Sequence, residues 1–203
     1  MNNVSSAVMH PPPPSVSVAL TISPSTYKRG DGDSGNAVPD LSVAATLDSS
    51  APKPVTIRTW ASILDPALAL QRREFNAQDI SQDPPANISL EIIKGPNRLP
   101  FKRKKGSYDE KYYVTLHPGQ EVTVAKTPLG IVKRLKNGTP IFQAGHTYSL
   151  GLSDEGKNIG PWWWGVTDDV LDEVAGPRKK VSGIKGKGEI VLEMEPVSFK
   201  VVE

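Results

Sequence analysis

The sequence predicts an all-β protein, an immunoglobulin-like antiparallel β-sandwich with long loops and one short helix, and three observations carry that prediction. Apolar residues recur at every second position in several short runs, the signature of strands with one face turned inward. The runs are separated by turn formers, with 19 Pro and 17 Gly among 203 residues. No strand–helix alternation and no repeat of fixed length runs through the chain. A small closed β-barrel is the runner-up, because spacing does not separate a curled sheet from two stacked ones.

Residues 1–14, MNNVSSAVMHPPPP, are small, polar and proline-rich, and read as a flexible tail. The single sandwich domain then spans 15–203. Val16, Val18, Leu20 and Ile22 alternate on one face of a first strand that Pro24-Ser25 ends. A Gly/Asp/Asn loop over 27–39 leads to a second strand with Leu41, Val43, Ala45 and Leu47. VTIRTW follows as a third, placing Trp60 on the opposite face from Ile57 by parity. Residues 61–73 suit a short helix or an irregular crossover, with Pro66 in the first helical turn. Phe75 to Ile80 and Ile88 to Ile93 read as paired strands around QDPPAN. Tyr112 to Leu116 and Glu121 to Val124 flank HPGQ, a Pro–Gly turn with strand formers on both sides. The Gly145-x-x-Tyr148 spacing before SLGL matches a tyrosine corner, in which the hydroxyl bonds a backbone group upstream. Ile190 to Leu192 and Val197 to Val201 close the chain.

The absence of cysteine removes disulfides, thiolate metal sites and thiol chemistry, and the expected setting is a reducing, cytoplasmic one. The N-terminus has neither the cationic flank nor the apolar run of a secretory signal, and no stretch reaches the roughly 20 apolar residues of a membrane helix. A membrane partner is therefore not expected. The formal charge of +2 is nearly neutral. Its distribution is not, because residues 94–105 hold six basic side chains and no acidic one, and residues 178–187 hold five more. Two basic loops form one patch where they meet.

Over most of the chain, LTISPSTYK, TIRTW, KGPNR, YDEKYYVTLHPG, AGHTYSLGL and WWWG resemble a group of small uncharacterised fungal proteins. VTLHPGQEVTV is similar to an edge-and-turn unit of immunoglobulin-like domains. The resemblance implies a fold and carries no activity, cofactor or binding residue with it.

Catalytic signatures are missing: no nucleophile elbow, no phosphate-binding glycine loop, no zinc-protease helix. His10, His117 and His146 lie far apart, and the pairs Asp109-Glu110, Asp168-Asp169 and Asp172-Glu173 are adjacent in sequence rather than opposed across a cleft. No catalytic residue, metal site or cofactor is expected. DDVLDE suits the start of a short helix and lacks the glycine of a calcium loop. The candidate ligand-binding residues are Trp162, Trp163 and Trp164, together with Lys102, Arg103, Lys104 and Lys105. An extended run places Trp162 and Trp164 on one face and Trp163 on the other, so either one indole is exposed as a platform or a curved strand and the covering DDVLDEV segment bury all three. The function read from this pattern is a non-catalytic binding or interaction module for a protein or small molecule. A small-molecule carrier or unusual enzyme with an aromatic-lined pocket is the alternative, and a carbohydrate-binding module the third. Nucleic acid is disfavoured by the modest net charge.

Overall fold

Apolar alternation becomes strand pairing in the computed structural model, which describes residues 12–28, 39–72, 74–88, 101–129, 142–171, 186 and 188–203. The molecule is an all-β sandwich. Its first sheet has the order β10 (Asn158–Ile159), β12 (Ile190–Met194), β1 (Val16–Ser23), β3 (Asp40–Leu47), β8 (Glu121–Pro128). The second runs β2 (Thr26–Lys28), β13 (Val197–Val202), β9 (Thr147–Leu152), β5 (Phe75–Asp79), β6 (Ala86–Ile88). A three-stranded sheet of β11 (Trp162–Trp164), β4 (Val55–Arg58) and β7 (Tyr113–Leu116) completes the set. Among the described residues both large sheets keep open edges and do not close into a barrel.

The antiparallel register of β1 on β3 sets Val16 opposite Leu47, Val18 opposite Ala45, Leu20 opposite Val43 and Ile22 opposite Leu41. Period-two alternation thus delivers eight apolar side chains to one face, and all but half-buried Leu20 are buried. Burial of a Val, Leu or Ile contributes about 1.5–3 kcal/mol. Val55, Ile57 and Trp162 of the small sheet enter the same interior as Phe75, Leu150, Phe199 and Val201 of the second large sheet. The bulge opposite Val43/Ala44 skips Val124, so β8 holds one residue more than its partner there.

Several expectations need adjustment. The helix expected over 61–73 is a single turn, α1 (Pro66–Ala69), with Pro66 at its start. Before it the chain is consumed by tight turns: Ala61 has a φ of 56°, and the Ser62 hydroxyl donates to the Thr59 carbonyl while accepting from the Leu64 N–H. The loop expected to start at Tyr27 begins later, because β2 pairs in parallel with β13. HPGQ is a turn, with Gly119 at a φ of 69°, yet the strands on either side join different sheets. β7 pairs with β4 and β8 with β3, so the turn carries the chain across the sandwich. The β5–β6 pair forms, but β6 begins at Ala86, inside the expected turn, and shares only Ile88 with the expected second strand, whose residues 89–93 lie outside the described residues. Residues 1–11 lie outside them too, and Pro14 is already buried.

Tyr148 occupies the corner that its spacing suggested. It is buried, and its hydroxyl accepts a hydrogen bond from the Gln143 N–H at 2.7 Å. No helix among the described residues is long and apolar enough to cross a membrane.

Candidate functional site

The tryptophan run is a strand, β11, whose alternation sorts the three indoles. Trp162, Trp163 and Trp164 pair with Ile57, Thr56 and Val55. Trp162 and Trp164 therefore face inward beside Ile57 and Val55, their rings edge-on at 5.3 Å. Trp163 lies on the other face, in register with Thr56 and, beyond it, Thr115. That outer face is itself covered. Trp163 packs with Tyr113, Val170 and Leu171 in a separate small core. The short helix α2 (Thr167–Val170), in the segment where DDVLDE suggested one, supplies Val170 and is tied to the sheet through Thr115. The Thr115 hydroxyl accepts from the Thr167 N–H at 2.8 Å and meets the Thr56 and Thr167 hydroxyls at 3.2 and 2.7 Å. With Trp162 at 2% and Trp163 at 5% exposure, neither indole forms a platform open to solvent; Trp164 is half-buried.

The basic loop meets the tryptophans, as the charge map required for a shared patch. Its burial alternates: Lys102 and Lys104 are exposed, Phe101, Arg103 and Lys105 half-buried. The Arg103 guanidinium lies 5.8 Å from the Trp163 ring centre, and Lys105 Nζ forms an ion pair with Asp168 at 2.9 Å. From the second basic stretch, Gly186 is described, and it fits so closely that a Cβ there would fall 2.8 Å from Trp163 Cζ2 and 2.6 Å from Pro161 Cβ. Residues 178–185 and 187 lie outside the described residues. Arg103 and Gly186 thus both reach Trp163.

The acids of this loop are spent on holding its shape. Asp109, buried, accepts from the Lys102 N–H at 2.8 Å, and Glu110 accepts from the Gly106 N–H at 2.5 Å. Among the described residues no carboxylate pairs with the ammonium groups of Lys102 or Lys104, so both keep their charge outward.

Beside them lies a second cluster that the candidate set did not include. Trp60 contacts Phe101 at 5.6 Å and Tyr112 at 4.9 Å, and Tyr112 lies 6.4 Å from Tyr108, which is 72% exposed. Cations sit on these rings. Lys111 Nζ is 4.1 Å from the Tyr108 ring centre and 5.0 Å from that of Tyr112, and Arg58 Cζ is 4.9 Å from that of Phe101. Arg58 is half-buried; its Nη2 gives a long 3.4 Å contact to the Gly160 carbonyl, and its shielded Nε has no hydrogen-bond partner among the described residues. Burial pulls its guanidinium below its ordinary pKa, with Tyr113 acting the other way. Near Lys111, the half-buried Asp65 carboxyl is pushed up by burial against the pull of the Leu68 N–H, Lys111 and Arg72. Arg58 and Trp60 lie at and just past the end of β4, and Tyr108, Lys111 and Tyr112 stand three and four residues apart around the 3₁₀ turn 110–112. That i, i+3, i+4 spacing was the signal available in YDEKYY.

Two further features lie elsewhere. His146 brings Nδ1 to 2.6 Å from Oδ2 of buried Asp79, which also accepts from Gln82 and the Ser81 N–H. A groove of about 210 Å³ between β5, β9 and β12 is lined by Asn76, Gln78, Ser149, Lys157, Met194 and Pro196 among others, with no aromatic ring. No three of His, Asp and Glu converge on a metal position among the described residues.

No protein-family model matches the chain, and no curated protein matches it either.

Proposed function

We propose that this protein is a non-catalytic binding module whose recognition surface is the cationic–aromatic face formed by residues 101–112 with the end of β4. The carrying observation is a set of cations, Arg58, Lys102 and Lys104, that have no carboxylate partner among the described residues, beside the exposed ring of Tyr108. Exposed cations without a carboxylate partner give the face a positive potential that attracts an anion, and an exposed aromatic ring gains by being covered. The loop carrying them is held in place by its own acids and by Trp163, which limits the ordering cost on binding. Trp162 and Trp163 support the site from beneath and do not touch the ligand.

We infer further that the sandwich is immunoglobulin-like and works in the cytoplasm. The passage of the chain from β1 in one sheet to β2 in the other, and the Tyr148 corner, support the first. The cysteine-free sequence supports the second. The test of the binding reading compares the full chain with a Lys102→Ala, Lys104→Ala, Tyr108→Ala, Lys111→Ala variant, each immobilised and exposed to host-cell extract. The wild type is expected to retain a protein, nucleic acid or small molecule that the variant loses at least ten-fold, at an unchanged unfolding midpoint. Equal retention by both overturns the proposal.

A further inference from the structure

Resting on that reading, we propose that the partner of the Arg58–Lys111 face is single-stranded nucleic acid, with phosphates at Arg58, Lys102 and Lys104 and a base stacked at Tyr108. Charge complementarity selects an anion. Of the acids described around the loop, Asp109, Glu110 and Asp168 are engaged by the Lys102 N–H, the Gly106 N–H and Lys105 Nζ, and Asp65 lies near Lys111. Among the described residues the cations of this face without a carboxylate partner are Arg58, Lys102 and Lys104, although the whole chain carries only +2. Arg58 adds a stronger demand. A guanidinium that is half-buried on the Phe101 ring, with a shielded Nε and no ion pair among the described residues, lacks the anion that would offset its desolvation.

The aromatic rings distinguish a nucleic acid from a simple polyanion. An acidic peptide satisfies the cations and leaves Tyr108 in water, whereas a nucleotide supplies phosphate and a flat ring together. Lys111 Nζ lies 4.1 Å from the Tyr108 ring centre, and Tyr108 is 72% exposed. Cations tracking a backbone beside aromatic side chains are the elements of sequence-tolerant single-strand binding. A duplex hides its base faces within the stack and offers Tyr108 nothing.

The experiment measures fluorescence anisotropy of labelled 12-nucleotide oligo(dT) and oligo(U), a duplex of equal length and polyglutamate, titrated with the full chain between about 50 and 200 mM salt. Both single strands are expected to bind more tightly than the duplex and polyglutamate, with a log–log salt slope of about −2, near −0.7 for each of three phosphates. Lys102→Ala with Lys104→Ala is expected to flatten the slope by about 1.4. Tyr108→Ala is expected to weaken binding about five-fold or more at an unchanged slope, since stacking is not ionic. All substituted residues are exposed, and equal unfolding midpoints confirm that the variants fold. Binding of polyglutamate or duplex as tight as that of the single strands overturns the inference, as does a Tyr108→Ala variant that binds normally. Should neither oligonucleotide bind while the four-residue variant still loses its retained partner, the nucleic-acid assignment fails and the binding surface stands; equal retention removes both.

Discussion

Tyr148 accepts the Gln143 N–H at 2.7 Å from a fully buried position, and its ring packs edge-on against Phe142 at 4.9 Å and stacked against Phe199 at 5.6 Å. The hydroxyl fixes the approach to β9, and its loss leaves a backbone donor without its acceptor. Tyr148→Phe is expected to cost about 1–2 kcal/mol in urea unfolding; an unchanged midpoint means the corner contributes nothing. This residue was readable from Gly-x-x-Tyr because the bond is local. The Asp79–His146 pair was not, since 67 residues separate its members and only the pairing of β5 with β9 joins them. Burial alone would raise the Asp79 carboxyl, but hydrogen bonds from His146, Gln82 and the Ser81 N–H, with the His146 charge, outweigh it and hold the carboxyl below its ordinary pKa. A group depressed in the folded state binds more protons when unfolded, so its stabilisation is present above the ordinary carboxylate range and disappears as pH falls through the folded value. Asp79→Asn is accordingly expected to lower stability at pH 7 and to reduce the loss between neutral pH and roughly pH 3. Unfolding midpoints that fall equally in acid for both proteins contradict the assignment.

At the level of elements, alternation located the strands with Val16–Ile22 and Leu41–Leu47 because each buries one whole face. It failed for β2 and β10, three and two residues long, where too few positions exist for a period to show. Turn chemistry placed the bend at Pro118-Gly119 and could not say that the flanking strands separate, because sheet membership depends on distant partners. For the tryptophans, parity correctly set Trp163 apart from its neighbours. The cover expected from DDVLDEV is present in Val170 and Leu171, and what the sequence did not show is that Arg103 and Gly186 close over the same face. Gly186→Ala tests the cover directly, since the new methyl must displace Pro161 or Trp163. It is expected to cost about 1–3 kcal/mol and to alter the near-ultraviolet circular dichroism of the indoles. A variant with wild-type stability and spectrum shows that the loop does not press on Trp163.

Across the whole molecule, the sandwich and its shared interior were legible, because hydrophobic alternation is a property of single segments. The recognition face was legible in half. Lys102 and Lys104 stood out as a charge run, while Arg58, Trp60, Tyr108 and Lys111 come from segments that each look ordinary until β4 and the 3₁₀ turn bring them together. The rigid sheets supply a frame, Trp163 anchors the loop to it, and the loop displays Lys102 and Lys104, which have no carboxylate partner among the described residues, beside aromatic rings. The most direct measurement of that claim is ultraviolet cross-linking of the full chain to oligo(U), followed by mass spectrometry of the attached peptides. The account predicts nucleotide adducts on Trp60 and within residues 101–112, foremost on Tyr108. Adducts confined to the groove lined by Asn76, Ser149 and Pro196, or no adducts at all, contradict it.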